Sequence, residues 1–463
     1  MRRGTSAASR KYALRMKGAI AAGHPSSAHA GANVLENGGN AVDALLAALF
    51  AAFVVEGPLT GPAGGGFLLV HEPHGETTLF DCFFSVPSAR LGAIDEVVVD
   101  FEDAGTQLFH VGPGSVAVPG LVAGLEVLHR RFASVPWADL VSPAIELARD
   151  GFARDEPRAF LHRILVPILL HDEGGRRVYG DPERVVTDDL VETLVAIRDD
   201  GAAAVAGLLP EYAADLVAHD VRALEPLEAR ISGHEVFTTP PPSRGGGVVL
   251  RILERLERLE RSGDSSPGDR ADALRHGYES APVGRLTGTT HVSVMDESGL
   301  AAAASSTLGS GSGVFRAGAQ LNNMLGEGDV IGPGPHVPGE RLASMLTPTL
   351  VLEEEEPRLV LGSAGSVRLS GAIAQVAWDV VGRGMPLADA IDAPRMHVDG
   401  ATVHLEGGWP DAAAEGLGAD WNVVRWSGRN LFFGGVQAVA RSADGRFEAA
   451  GDPRRGGFGR VVA

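Results

Sequence analysis

The chain of 463 residues carries a formal net charge of −19, with 44% hydrophobic and 21% charged residues, 61 glycines and 28 prolines. Glycine plus proline stays below the roughly 25–30% at which low-complexity disorder becomes the better description, so the composition is that of a folded globular chain. The acidic excess, with no block of Lys and Arg, opposes phosphate backbones and anionic lipid and argues against nucleic-acid and membrane partners, while a single cysteine, Cys82, excludes an internal disulfide and a cysteine-based zinc site.

The opening segment MRRGTSAASRKYALRMKGAI is basic enough for a signal n-region, but no run of seven apolar residues follows, and the chain reads as mature and cytoplasmic. From His29 to Phe53, small apolar residues at helical spacing around Gly38-Gly39-Asn40 predict two helices. The most apolar stretch, Ala41 to Val55, contains Asp43 and ends at Glu56-Gly57-Pro58, short of the ~20 residues of a bilayer span, so it predicts a buried helix. A glycine loop, Gly64-Gly65-Gly66, leads into a hairpin of Phe67 to His71 and Thr77 to Phe80. Trp137 to Asp220 is amphipathic and mostly helical; Ser232 to Pro242 is extended; Pro240 to Gly247 is a turn that opens the helix Val248 to Arg261. Ser262 to Arg270 is the best linker candidate. Strands follow at Thr290 to Asp296, Ala301 to Leu308, Thr347 to Glu353 and Arg358 to Gly362, then a helix from Ser370 to Val381. Strands and helices in blocks, without strict alternation, favour an α+β layered fold.

The segment that carries most chemistry is Gly288-Thr289-Thr290-His291-Val292-Ser293. A small residue and a hydroxyl residue open a strand after a polar stretch, as cleavage between Gly288 and Thr289 would require. A new N-terminal threonine would hold a hydroxyl nucleophile and an α-amine whose unperturbed pKa of ~7.7–8 lets it act as base. The same pair also opens any ordinary strand of β-branched residues, so the reading needs context. His291, third in that strand, is more simply a satisfied packing residue than an assistant to the nucleophile. No HExxH, EF-hand or Walker pattern occurs and the histidines do not cluster, so neither metal nor cofactor is expected.

The context is a resemblance, in order over most of the chain, to the γ-glutamyltranspeptidase family of N-terminal-nucleophile hydrolases. It is carried by Ala21-Ala22-Gly23-His24-Pro25, Gly38 to Ala44, Gly64 to Phe67, Val118-Pro119-Gly120, Pro240 to Ser243, the run TTHVSV at Thr289, Leu321-Asn322-Asn323, Arg341 to Leu350 and Leu361 to Gly365. The resemblance implies a four-layer αββα sandwich, made by a precursor that cuts itself ahead of the threonine through an N→O acyl shift. Residues 1–288 would become a large segment and 289–463 a small one, together one domain. It further implies Thr289 as nucleophile, Thr307, eighteen positions on, as the residue that hydrogen-bonds it, and Gly365-Ser366 as the oxyanion pair where the family has two glycines. A backbone donor survives that replacement unless the position demands a positive φ.

The substrate pocket departs from the family. Phe83 stands where an arginine should grip the glutamyl α-carboxylate; Gly309, Met324 and Glu327 stand at the α-amine positions; Ala343 replaces the first of the family's paired serines, while Ser344 stays. Between Gly247 and Thr289 the chain is also much shorter than the family, which opens a wall of the pocket. The expectation is therefore a self-processing threonine hydrolase that acts on a small molecule, passes an acyl group to water more readily than to an amine, and accepts a less polar acyl group. Two alternatives stay open: the same nucleophile acting on a non-glutamyl amide or a C–C bond, and a relative that binds without turnover. The partners implied are the small-molecule substrate, the two fragments of the precursor and, as an option, further copies of the chain.

Overall fold

The computed structural model describes residues 16–101, 105–260, 266–279, 288–332 and 334–463. Two antiparallel sheets lie face to face, with helices on both outer faces, giving four αββα layers. In the first sheet the strands run in the order Phe458–Val462, Gly18–Ala22, Gly288–Asp296, Ala301–Gly309, Gly65–His71, Thr77–Cys82 and Arg222–Leu224. In the second they run Phe447–Gly451, Gly435–Arg441, Glu356–Ala364, Thr349–Glu353, His234–Thr238 and Leu227–Ile231.

Side-chain alternation along the two central strands divides the core into two compartments. Val292, Val294, Ala302 and Ala304 pack with the helix Ala41–Val55, whereas Met295, Ala301 and Ala303 face the second sheet. Every residue of both strands is buried, and the run of alanines on the second strand lets neighbouring layers approach closely. The helix Ala41–Val55 is apolar all round because it is covered all round: it lies on the first sheet and against the helices Pro25–Glu36 and Trp137–Asp150. Asn40 and Asp43 form a capping box at its start, and the Asp43 carboxylate also accepts the backbone N–H groups of Ser134 and Val135 at 3.0 and 3.1 Å. On the far side, the helices Gly245–Glu260 and Arg368–Ala377 cover the second sheet.

The predicted helix pair, hairpin and helical layer are all present. Two boundaries differ. Of the expected linker, residues 262–265 lie outside those described, and from Pro267 the chain is already helical, to Tyr278. The reason is local: Ser266 and Asp269 cap each other's backbone and Pro267 sits at the first helical position, where its missing N–H costs nothing. The second difference is the pair of strands Gly18–Ala22 and Phe458–Val462, too short and too small in side chain to stand out in the sequence, which zip together at one side of the first sheet. Among the described residues, no single helix is long and apolar enough to cross a membrane.

Candidate active site

The strand Gly288–Asp296 and its partner Ala301–Gly309 pair Gly288 with Gly309 and Thr290 with Ser306, with a register shift that leaves Thr289 between them. Thr289 and Thr307 are both buried and both border a cavity of about 20 Å³, room for about one water. The Thr307 hydroxyl donates to the carbonyl oxygen of Gly288 and accepts the N–H of Gly309 at 2.8 Å. A hydroxyl has one proton to give, so in the intact chain Thr307 polarises the carbonyl next to Thr289 instead of holding the Thr289 oxygen, which differs from the expected contact.

Phe83, Gly309, Met324, Glu327, Ser344 and Ser366 border the same cavity. The structure thus brings together the residues singled out from the sequence, and the remaining two, Gly288 and Gly365, are chain neighbours of Thr289 and Ser366. Phe83 is 1% exposed, stacked on Phe67 at 5.5 Å and edge-on to Phe84 at 4.8 Å. It and Met324 belong to the core between the sheets while also lining the cavity. Gly309 has φ 69°, and a β-carbon there would stand 2.2 Å from the Asn323 Oδ1 and 3.2 Å from the Met324 sulfur. A side chain at this position would be strained by the positive φ and would have to displace the Asn323 amide, and Met324 occupies the space beside it. Glu327 accepts the Ser310 hydroxyl at 2.7 Å and N–H at 3.1 Å; burial pushes its carboxyl above the usual range, with those hydrogen bonds opposing the rise.

The loop Leu321–Met324 is held from below. Asn322 exchanges hydrogen bonds with the Ala117 backbone at 2.9 and 3.0 Å and donates to the Ala63 carbonyl at 3.1 Å, and Asn323 accepts the Ser310 N–H at 2.7 Å. Ala343 and Arg341 face a second, larger cavity of about 620 Å³ on the other side of Ser344, shared with Arg244, Arg251 and His336. Arg341 does not replace the missing arginine at Phe83: its guanidinium is engaged by Asp81 at 3.4 Å and by the Phe83 carbonyl at 3.0 Å.

Ser366 follows the strand Glu356–Ala364 and precedes the helix Arg368–Ala377. Its φ is 57° and that of Gly365 is 134°, so the position does demand the left-handed conformation; Ser366 adopts it at the cost of strain, and its backbone N–H stays in place. Its hydroxyl, like the backbone N–H groups of both residues, has no partner among the described residues. Two further groups surround the nucleophile strand. His291 is clamped between the Ser305 and Ser293 hydroxyls at 2.8 and 2.9 Å, with its ring against Gly362, and burial lowers its pKa to about 3. It is a neutral strut between the sheets. On the opposite face, Thr290 donates to the buried Glu56 carboxylate at 2.5 Å, as does Ser27 at 3.1 Å. Burial raises the Glu56 pKa against the opposing charge of Arg158. Sequence reasoning passed over Glu56; an acidic residue closing a wholly apolar helix was the available signal. Among the described residues, no three His, Cys, Asp or Glu side chains converge on a metal site.

The gamma-glutamyltranspeptidase family model matches residues 27–281 and 264–462. The acylase ACY 1 proenzyme of Pseudomonas sp. strain SE83 is 27% identical, over 95% of this chain and 93% of its own. The glutathione hydrolase proenzyme of Pseudomonas aeruginosa is 29% identical, over 96% and 94%. A cephalosporin acylase from Bacillus halodurans has the same fold, with a TM-score of 0.80 over 98% of both chains at 19% identity.

Two outcomes follow from this geometry. Ser366→Gly relieves the left-handed strain but adds entropy to the unfolded chain, and should stabilise by about 0.5–1 kcal/mol, read as a higher urea midpoint at constant slope; a lower midpoint would refute the strain. For Glu327 the folded pKa lies above the unfolded one, so the folded chain binds more protons between the two values and stability falls as pH rises through that interval. Glu327→Gln should therefore match wild type below about pH 4 and gain on it as the pH is raised. A stability gap that does not change with pH would place the carboxyl in an ordinary environment.

Proposed function

The chain belongs to the γ-glutamyltranspeptidase family of N-terminal-nucleophile hydrolases, and from that premise we propose that Thr289 is its nucleophile, released by self-cleavage into residues 1–288 and 289–463. The observation that carries the reading is the hydrogen bond from the Thr307 hydroxyl to the Gly288 carbonyl. That contact places a donor on the oxygen that would become negative when the neighbouring hydroxyl attacks. The Thr289 hydroxyl adds to the Gly288 carbonyl carbon, the C–N bond breaks, and the hydroxyl proton ends on the departing nitrogen. Water then opens the ester, leaving a Gly288 carboxylate and a Thr289 with free hydroxyl and free amine. In turnover the amine takes the hydroxyl proton, an acyl-enzyme forms, and the Gly365 and Ser366 N–H groups, which have no other acceptor among the described residues, receive the oxyanion. Once Gly288 is released, the Thr307 hydroxyl becomes free to turn to the nucleophile.

The acyl group taken up is not an ordinary glutamyl head. Phe83, Gly309 and Met324 leave the head-group end apolar and nearly filled, with Glu327 and Ser344 as its polar members. A zwitterionic head entering it would give up hydration worth several kcal/mol with little in return. Water is the acceptor.

Two measurements test this reading. Wild type should resolve into two fragments by denaturing electrophoresis and intact mass, with the cut ahead of Thr289; Thr289→Ala should stay whole, and Thr307→Val should be cut about 10²-fold more slowly. A wild-type chain that remains intact on prolonged incubation removes Thr289 from consideration. For the substrate, a γ-glutamyl anilide and a simple acyl anilide of the same chain length are compared by kcat/KM on processed enzyme. The simple acyl member should be preferred, and a tenfold preference for the γ-glutamyl member would return the family's ordinary activity to first place.

A further inference from the structure

Behind the Gly365–Ser366 turn the fold encloses more positive charge than negative. Arg368, Arg395, Arg454 and Arg455 surround two buried carboxylates, Asp452 and Glu406. Both carboxylates are committed elsewhere: Asp452 holds Arg395 at 2.6 Å and Arg454 at 3.2 Å, and Glu406 holds Arg454 at 2.6 Å. Among the described residues neither Arg368 nor Arg455 has a carboxylate within ion-pair distance, and Asp452 attracts Arg455 only from farther off. Arg368 is 8% exposed, its guanidinium lies 4.4 Å from the centre of the Phe432 ring, and its Nε and Nη2 reach no acceptor. Arg455 gives Nη2 to the Leu431 carbonyl at 3.2 Å, and its Nε reaches none. Burial lowers the pKa of each to about 10, which leaves both charged at neutral pH. The other groups around them offer little relief: Asp399 is exposed, Tyr278 is a buried phenol, and burial holds His397 and His404 neutral.

Two mutually repelling guanidiniums with no ion-pair partner among the described residues are expensive to bury, and a fold that keeps them gains something when negative charge arrives. The turn they flank is where it would arrive. Arg368 opens the helix that begins two residues after Ser366, and Arg455 Nη2 lies 3.6 Å from the point where a β-carbon on Gly365 would stand. The positive end of that helix points the same way.

We propose that Arg368 and Arg455 are positioning residues for acyl transfer, a buried cationic pair that acts through the Gly365–Ser366 turn to stabilise the oxyanion formed on the substrate carbonyl. They do not touch the substrate. In the low dielectric between the sheets their field is spent on the transition state, because the neutral carbonyl of the ground state draws little on it. This inference rests on Thr289 as nucleophile.

The test uses full-length protein with 4-nitrophenyl hexanoate as acyl donor: wild type and the variants Arg368→Met, Arg455→Met and Arg368→Lys after processing, and Thr289→Ala as the uncut chain. Each methionine variant should lose tenfold or more in kcat with KM within twofold, while its thermal midpoint stays level or rises, since a costly buried charge has gone. Arg368→Lys should stay within threefold of wild type. A merely structural role would move the midpoint down together with kcat. That outcome, an unchanged kcat in both methionine variants, or a lysine variant as impaired as the methionine one, overturns the proposal. Should Arg368→Met fail to accumulate, Arg455→Met gives the same readout. Hydrolysis that is absent or indifferent to Thr289→Ala overturns the nucleophile reading itself, whereas Thr289-dependent hydrolysis indifferent to both arginines overturns this inference alone.

Discussion

The antiparallel ladder between Gly288–Asp296 and Ala301–Gly309 sets the rest of the site. Because successive side chains alternate between faces, one register decides at once that Val292 and Val294 feed the helical compartment, that His291 and Ser293 bridge to the second sheet, and that Thr307 meets the carbonyl of Gly288. A slip by one residue would turn Thr307 toward the helix layer and Val292 and Val294 toward the second sheet. The register is fixed against such a slip by burial on both faces and by polar pins: Thr290 to Glu56 on one side, and His291 between two serines on the other. The same ladder thus packs both compartments and carries at its start the Gly288–Thr289 bond proposed for cleavage.

Around that ladder the cavity divides into two unlike ends. Toward the turn at Gly365 lie unpaired backbone donors, a helix start and an excess of buried cation. Toward Phe83 lie stacked aromatic rings and a methionine. At Gly309 the positive φ would strain any side chain, and one placed there would have to push aside the Asn323 amide. The apolar character of that end is therefore set by the path of the backbone at Gly309 as well as by the choice of Phe83 and Met324.

Much of this was legible in the sequence, and the limits are instructive. The helix Ala41–Val55 announced itself by continuous apolarity bounded by Asn40 and Glu56, and the strand at Thr289 by its alternation. Ordered family blocks located Thr289, Thr307, Gly365 and the altered positions, all of which converge on one cavity or its immediate neighbours. What stayed hidden depends on distance in the chain. Glu56 reaches Thr290 across more than two hundred residues, and Asn322 reaches Ala117 across a similar span, so no local pattern could reveal either contact. The role of Thr307 toward Gly288 also needed coordinates, since spacing alone cannot say which of two neighbouring oxygens receives its proton. The capping box at Ser266 was a local signal, masked by the proline and glycine that made the segment read as a linker.

The strand order of the first sheet has a last consequence. The strand Gly18–Ala22 lies between Phe458–Val462 and Gly288–Asp296, while Gly65–His71 flanks Ala301–Gly309 on the other side. Segments from either side of residue 288 are therefore woven through one sheet, as threads in a single cloth. A cut ahead of Thr289 would end covalent continuity and free the Gly288–Gly309 pair, leaving the rest of every ladder intact. The weave must be made while the thread is whole, and the two lengths that result would hold a shape that neither carries the instructions to make alone. For such a molecule the heritable unit of folding is the uncut chain, and the working unit is its severed descendant.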